Sequence, residues 1–168
     1  MNKFKTFIIA FISFILQISV FSKIDIFGAN INIIIALIIC LSLTLGSKSG
    51  AYAGLIIGLF EDLMFSNIIG VRALSYFLIG HFVGDKKFRF NNDKNTGLIL
   101  TFVCTIINFA IVSLITYIFK TDLVVIKNYL FIPLLVEALL NTLIYFIYHF
   151  IIKKIMYIPT YRMWGCKI

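Results

Sequence analysis

The chain has 168 residues, of which 61% are hydrophobic and only 13% charged, with a formal net charge of +8 and a mean hydropathy of +1.05. Soluble domains run nearer to half apolar and a quarter charged, and one of this size buries only about 70% of its unfolded surface. That arithmetic excludes a secreted, disulfide-stapled or nucleic-acid-binding domain and leaves an integral membrane protein. The basic residues lie between apolar runs rather than along one face, so they carry a topology signal and not a nucleic-acid footprint.

A bilayer core of about 30 Å takes roughly 20 apolar residues per helix. Six candidate spans follow, at about residues 6–22, 31–46, 50–65, 68–84, 97–119 and 129–152. The expected architecture is all-α: a polytopic membrane protein forming one compact six-helix transmembrane bundle, with residues 1–168 as a single domain. Span one follows a basic start, and Val20-Phe21-Ser22 resembles a cleavage site. Its apolar run is longer than most signal-peptide cores, so it reads as an uncleaved anchor. Spans two, three and four are short; about 16 residues give only about 24 Å of helix.

Span three carries Gly50, Gly54 and Gly58 at four-residue spacing, and Gly80 and Gly84 repeat that spacing on span four. Such a stripe admits close approach of another backbone, either within the bundle or at an interface to a separate membrane protein. Asp62 follows Gly58 by a further four residues, with Glu61 beside it. A carboxylate within a span is costly. Arg72 lies about one turn inside span four, across a tight turn around Ser66-Asn67, so Asp62 and Arg72 form a candidate ion pair stapling the hairpin. The other reading is a functional site. The adjacent carboxylates point about 100° apart and do not converge for acid/base chemistry.

The longest connection, Asp85 to Thr96, is polar and basic. Asn108 near the middle of span five reads as an interhelical hydrogen-bonding group. Pro133 sits in the first turn of span six, where proline is tolerated. Glu137 and Asn141 lie one turn apart on the same span. Glu137 has no cation in its own span and must find a partner from another helix, bind water in a cavity or be protonated. His81 and His149 sit near helix ends as interfacial groups.

Eleven of the fifteen lysines and arginines fall on the side of the two termini, three fall on the other, and Arg72 lies within span four. By the positive-inside rule both termini face the cytoplasm. Cys40, Cys104 and Cys166 have no metal or disulfide spacing. No HExxH, Walker A or nucleophile elbow is present, and Ser47-Lys48-Ser49-Gly50 lacks the glycine of an intramembrane serine-protease motif. Neither catalysis nor a cofactor is expected.

The most distinctive stretch runs Gly58-Leu59-Phe60-Glu61-Asp62-Leu63-Met64-Phe65-Ser66, then Ile69-Gly70-Val71-Arg72-Ala73-Leu74, then Tyr76-Phe77-Leu78-Ile79-Gly80 and Gly84. It resembles the central signature of the MreD family of rod shape-determining proteins. Leu16-Gln17, Pro133 and Asn141 are similar to that family as well. One departure is Asn30-Ile31-Asn32, where the family often opens span two with Pro-Asp or Pro-Asn. The resemblance implies a non-enzymatic scaffold of bacterial cell elongation in the cytoplasmic membrane. Its implied partners are a single-span MreC-like protein and, through it, an MreB-like filament and a RodA–transpeptidase synthase. It also implies a six-helix fold like the S components of energy-coupling-factor transporters, which gives the alternative: a small-molecule-binding transporter subunit. Those subunits dock their ATPase module through an alanine-x-x-x-alanine surface on span one, and here that span offers only Ala10.

Overall fold

The computed structural model describes residues 3–26, 28–66, 68–85, 94–119 and 132–155. They form six α-helices: α1 (Lys3–Ser19), α2 (Ile33–Leu45), α3 (Ser47–Phe65), α4 (Val71–Val83), α5 (Lys94–Ile118) and α6 (Ile132–Ile155). Between α1 and α2 lie a single 3₁₀ turn (Phe21–Lys23) and a two-residue antiparallel ribbon, β1 (Asp25–Ile26) with β2 (Ala29–Asn30). This ribbon has no counterpart in the sequence expectation. Two-residue strands leave no hydrophobic alternation to read. The start of span six at Tyr129, most of the Asp85–Thr96 loop, Asn67, Cys166 and the basic residues Lys120, Lys127, Arg162 and Lys167 lie outside the described residues.

The core is α2. Every residue from Ile33 to Ser42 is buried, and α2 packs against all five other helices. A helix that is hydrophobic all round belongs in an interior, and this one spells Ile-Ile-Ile-Ala-Leu-Ile-Ile-Cys-Leu over its first nine positions. Around it α3, α4, α5 and α6 follow one another as packed neighbours, and α1 lies against α2 and α3. Tyr148 of α6 completes the ring by donating its hydroxyl proton to Ser13 of α1, at 2.7 Å.

Three helical stretches are long and apolar enough to cross a membrane: Phe4–Lys23, Asn95–Ile118 and Ile132–Lys154. The 13-residue α2 and α4 are shorter apolar helices, about 20 Å each. Span three is corrected here. Its helix begins at Ser47 and runs 19 residues, so it is not short. Gly46 makes this extension feasible: at φ +94° it is the C-cap of α2 and the N-cap of α3 at once, and a single residue joins the two.

The glycine stripe faces inward. A Cβ on Gly54 would stand 2.6 Å from the Tyr76 carbonyl oxygen, one on Gly58 2.6 Å from the Ala73 Cα, and one on Gly80 2.6 Å from the Gly50 carbonyl carbon. A Cβ on Gly84 would collide with the Ser47 backbone, and one on Gly50 with the Ser42 side chain of α2. The pairs 58/73, 54/76, 50/80 and 47/84 keep a nearly constant sum, which is an antiparallel register held over the full length of α4. The reading of this stripe as an interface to another protein therefore gives way to packing of α3 on α4 and α2. On the opposite side of α3, Tyr52, Ile56, Leu59, Leu63 and Met64 are exposed.

A leucine at Gly54 or Gly58 is expected to force the hairpin apart, at a cost of about 1–3 kcal/mol, and to lower the amount of protein in the membrane. Leu59→Ala, on the outer face of the same helix, should leave that amount unchanged. Quantitative immunoblotting of membrane fractions and melting in detergent check both.

Candidate functional site

The Asp62 carboxylate is fully buried near the C-terminal end of α3, at the α3–α4 turn. It accepts main-chain N–H bonds from Gly70 at 2.9 Å, Arg72 at 3.0 Å and Ala73 at 3.1 Å, and the Ser66 hydroxyl bonds it at 3.0 Å. These donors are the orphan amides of the first turn of α4, where the helix dipole also favours negative charge. Asp62 thus caps a neighbouring helix. The expected ion pair is corrected accordingly: Arg72 meets Asp62 through its main-chain N–H, and no ion pair between their side chains forms among the described residues. The register explains this. Ala73 stands level with Gly58, so α3 overhangs α4, and Asp62 folds over the start of α4. Gly70, at φ +103° in the left-handed region, turns the chain into that position.

A second cluster surrounds the start of α2. Asn32 is its N-cap: its side-chain oxygen accepts from the N–H groups of Ile34 and Ile35 at 3.1 and 3.4 Å. Its main-chain N–H donates to Asn141 Oδ1 of α6 at 3.0 Å, and its side-chain amide donates to the Tyr76 hydroxyl of α4 at 2.6 Å. Tyr76 in turn donates to Glu61 Oε2 of α3 at 2.8 Å. Asn141 donates to the Thr105 hydroxyl of α5 at 3.3 Å. Gln17 of α1 accepts from the Ile33 N–H at 2.9 Å and donates to the Ile31 carbonyl at 3.0 Å. One connected set of hydrogen bonds therefore reaches all six helices. Beside it, Ser75 of α4 donates to Asn108 of α5 at 2.7 Å.

The sequence candidates thus fall into three sets of contacts. Glu61 and Asn141 join the Asn32 cluster, Asn108 pairs with Ser75, and Asp62 caps α4. Glu137 is buried one turn before Asn141 and is itself engaged. Arg72 is half-buried. His81 faces the start of α3, with its Nδ1 3.0 Å from the Ser47 hydroxyl.

Sequence reading missed the central residue. Asn32 immediately precedes a long apolar run, which is an N-cap signal, yet that stretch stands out above only as a departure from a family pattern. Thr105, Ser75, Ser13 and Tyr148 carry no local signal at all. Chemically, the cluster couples donors to acceptors between helices. Among the described residues no group of three His, Cys, Asp or Glu side chains could hold a metal ion. Buried Ser13, Ser42, Thr101 and Thr105 donate to carbonyls four residues back along their own helices.

Compared with known proteins, the family described as rod shape-determining protein MreD matches residues 1–158 of the chain. No curated protein and no solved structure matches it.

Three variants separate the roles of these groups. Asp62→Ala removes an acceptor shared by several buried amides and is expected to destabilise the bundle by about 2 kcal/mol or more. The exchange Asp62→Arg with Arg72→Asp should fail to restore it, since the acceptor serves backbone and not a guanidinium. Tyr76→Phe removes the hydroxyl between Asn32 and Glu61 and is expected to cost about 1–3 kcal/mol. Thermal melting of the purified protein in one detergent measures all three.

Proposed function

Because the chain belongs to the MreD family of rod shape-determining proteins, we propose that it is a non-enzymatic membrane scaffold of bacterial cell elongation. In this role it binds a single-span MreC-like protein and, through it, works with an MreB-like filament and a RodA–transpeptidase synthase in the control of peptidoglycan synthesis. The observation that carries the reading is where the buried polar groups go. Glu61, Asp62, Asn108 and Asn141 are spent on bonds between helices, which suits a body whose task is to hold a shape and present surfaces. The surfaces it presents are apolar: Phe4, Phe7 and Phe11 on α1, Tyr52 and Leu63 on α3, and Leu139 and Leu143 on α6 are exposed. An apolar side chain turned outward suits lipid and a transmembrane partner helix.

The proposal includes a multi-pass placement in the cytoplasmic membrane, with the starts of α1, α3 and α5 on the cytoplasmic side, and a helix arrangement like that of the S components. The whole chain is taken as one domain. The lysine and arginine asymmetry supports this orientation.

The decisive experiment is affinity purification from the native bacterium. A single-span MreC-like protein should co-purify, and depletion of the chain should round the cells. Recovery of an ATPase module in place of that partner, with cell shape unchanged, would overturn the scaffold reading. For orientation, Asp85→Cys should react with a membrane-impermeant maleimide only after permeabilisation, whereas Asp25→Cys should react in intact cells.

A further inference from the structure

Arg72 stands apart from the other polar groups of the bundle. The carboxylate expected to pair with it, Asp62, serves main-chain amides and the Ser66 hydroxyl, and Glu61 Oε2 accepts from Tyr76. Arg72 bonds through its main chain, donating its N–H to Asp62 and accepting at its carbonyl from the Ser75 hydroxyl. Among the described residues its guanidinium makes neither a hydrogen bond nor an ion pair. An arginine within a span is costly and calls for a partner.

Helical spacing shows where it faces. Arg72, Tyr76, Ile79 and Val83 follow one another at steps of four, three and four residues and form one stripe of α4. Tyr76, Ile79 and Val83 lie in the core with α2, while Leu74, His81 and Phe82 on the far side are exposed. Arg72 continues the inward stripe, yet it is partly accessible where the three residues after it are buried. The reason is that α2 does not reach it. Tyr76 touches Asn32, the residue before α2, and Arg72 lies one turn beyond Tyr76. Asn32 is also level with Asn141 and, through it, with Thr105. Past that level α6 continues nine residues to Ile132 and α5 thirteen residues to Ile118, about 13 and 20 Å. Helix α3 runs seven residues past Gly58, which faces Ala73, to Phe65, about 10 Å. Helices α3 to α6 therefore surround a position that α2 leaves open. Each places a polar side chain near this level: Glu61, Arg72, Asn108 (three residues past Thr105) and Glu137 (one turn past Asn141).

We propose that this recess beyond the start of α2 binds a carboxylate, gripped by the Arg72 guanidinium through two parallel N–H bonds. The planar fork of a guanidinium matches a carboxylate in geometry. A single cation beside the carboxyl groups of Glu61 and Glu137 favours a singly charged ion over the more highly charged phosphate. Asn108, whose Oδ1 accepts from Ser75, offers its amide N–H groups as further donors. The first amides of α4 are not part of the site, since Asp62 already serves them. The carboxylate belongs either to an acidic side chain of a protein partner or to a small organic acid, and the recess recognises the same group in both. This site goes beyond the scaffold role and does not depend on it.

The test melts the full chain in detergent with sodium acetate, sodium phosphate or sodium chloride at equal ionic strength. Acetate should raise the melting temperature saturably, and the other two should not. Arg72→Gln should lose that response and, without acetate, melt no lower than the parent, because it removes an unpaired charge. Arg72→Lys keeps the charge without the fork and should bind acetate about tenfold more weakly, the loss of one charge-assisted bond. Lys23→Gln, at an exposed cation of the 3₁₀ turn, should respond as the parent does. No acetate response in the parent, or an equal response in Arg72→Gln, would overturn the proposal. So would a much lower melting temperature of Arg72→Gln without acetate, which would make Arg72 a structural group. Affinity purification of Arg72→Gln then separates the two sources. Loss of the MreC-like partner at unchanged abundance places the carboxylate on that partner, and undiminished recovery places it on a small acid.

Discussion

A buried helix start controls this structure. In hydrocarbon every main-chain N–H and C=O must be satisfied internally, and the first turn of a helix leaves four amides without partners. Helix α2 begins within the bundle, with Asn32 half-buried between buried Ile31 and Ile33, and protein groups serve its first amides. Asn32 serves Ile34 and Ile35, and Gln17 reaches from α1 to serve Ile33. The requirement then spreads. The remaining polar atoms of Asn32 need partners of their own, and these come from Asn141 and Tyr76, which in turn engage Thr105 and Glu61.

The α3–α4 hairpin solves the same problem differently. Small residues let the two backbones approach within contact of a would-be Cβ at four successive levels, and so close an approach brings the overhanging end of α3 onto the start of α4. There Asp62 replaces the missing carbonyls and supplies a negative charge where the dipole favours one. The glycines and the carboxylate are parts of one device: without the close approach, Asp62 could not reach three amides of a neighbouring helix. The cost of an unpaired intramembrane carboxylate is thereby met by backbone.

Both devices turn polarity inward and leave an apolar outer wall. Glu61, Asp62, Asn108 and Asn141 bond other side chains or the main chain, and the interior is filled by α2.

The sequence by itself determined the class of solvent, the helical architecture and the family. Each rests on properties summed over many residues: mean hydropathy, the positions of charges between apolar runs, and an ordered set of short motifs. It also placed the glycine spacing and the carboxylates correctly on their helices. Tertiary structure decided which way each of them points and what it meets. A stripe at four-residue spacing reads the same whether it faces a neighbouring helix or another protein, and only the α3–α4 register shows Gly58 against Ala73. Asp62 and Arg72 stand at the right separation for an ion pair, yet the overhang of α3 places the carboxylate over amides that no sequence pattern displays. The role of Asn32 depends on four helices arriving at one point from positions up to 109 residues away, and contacts at that range leave no local periodicity to read.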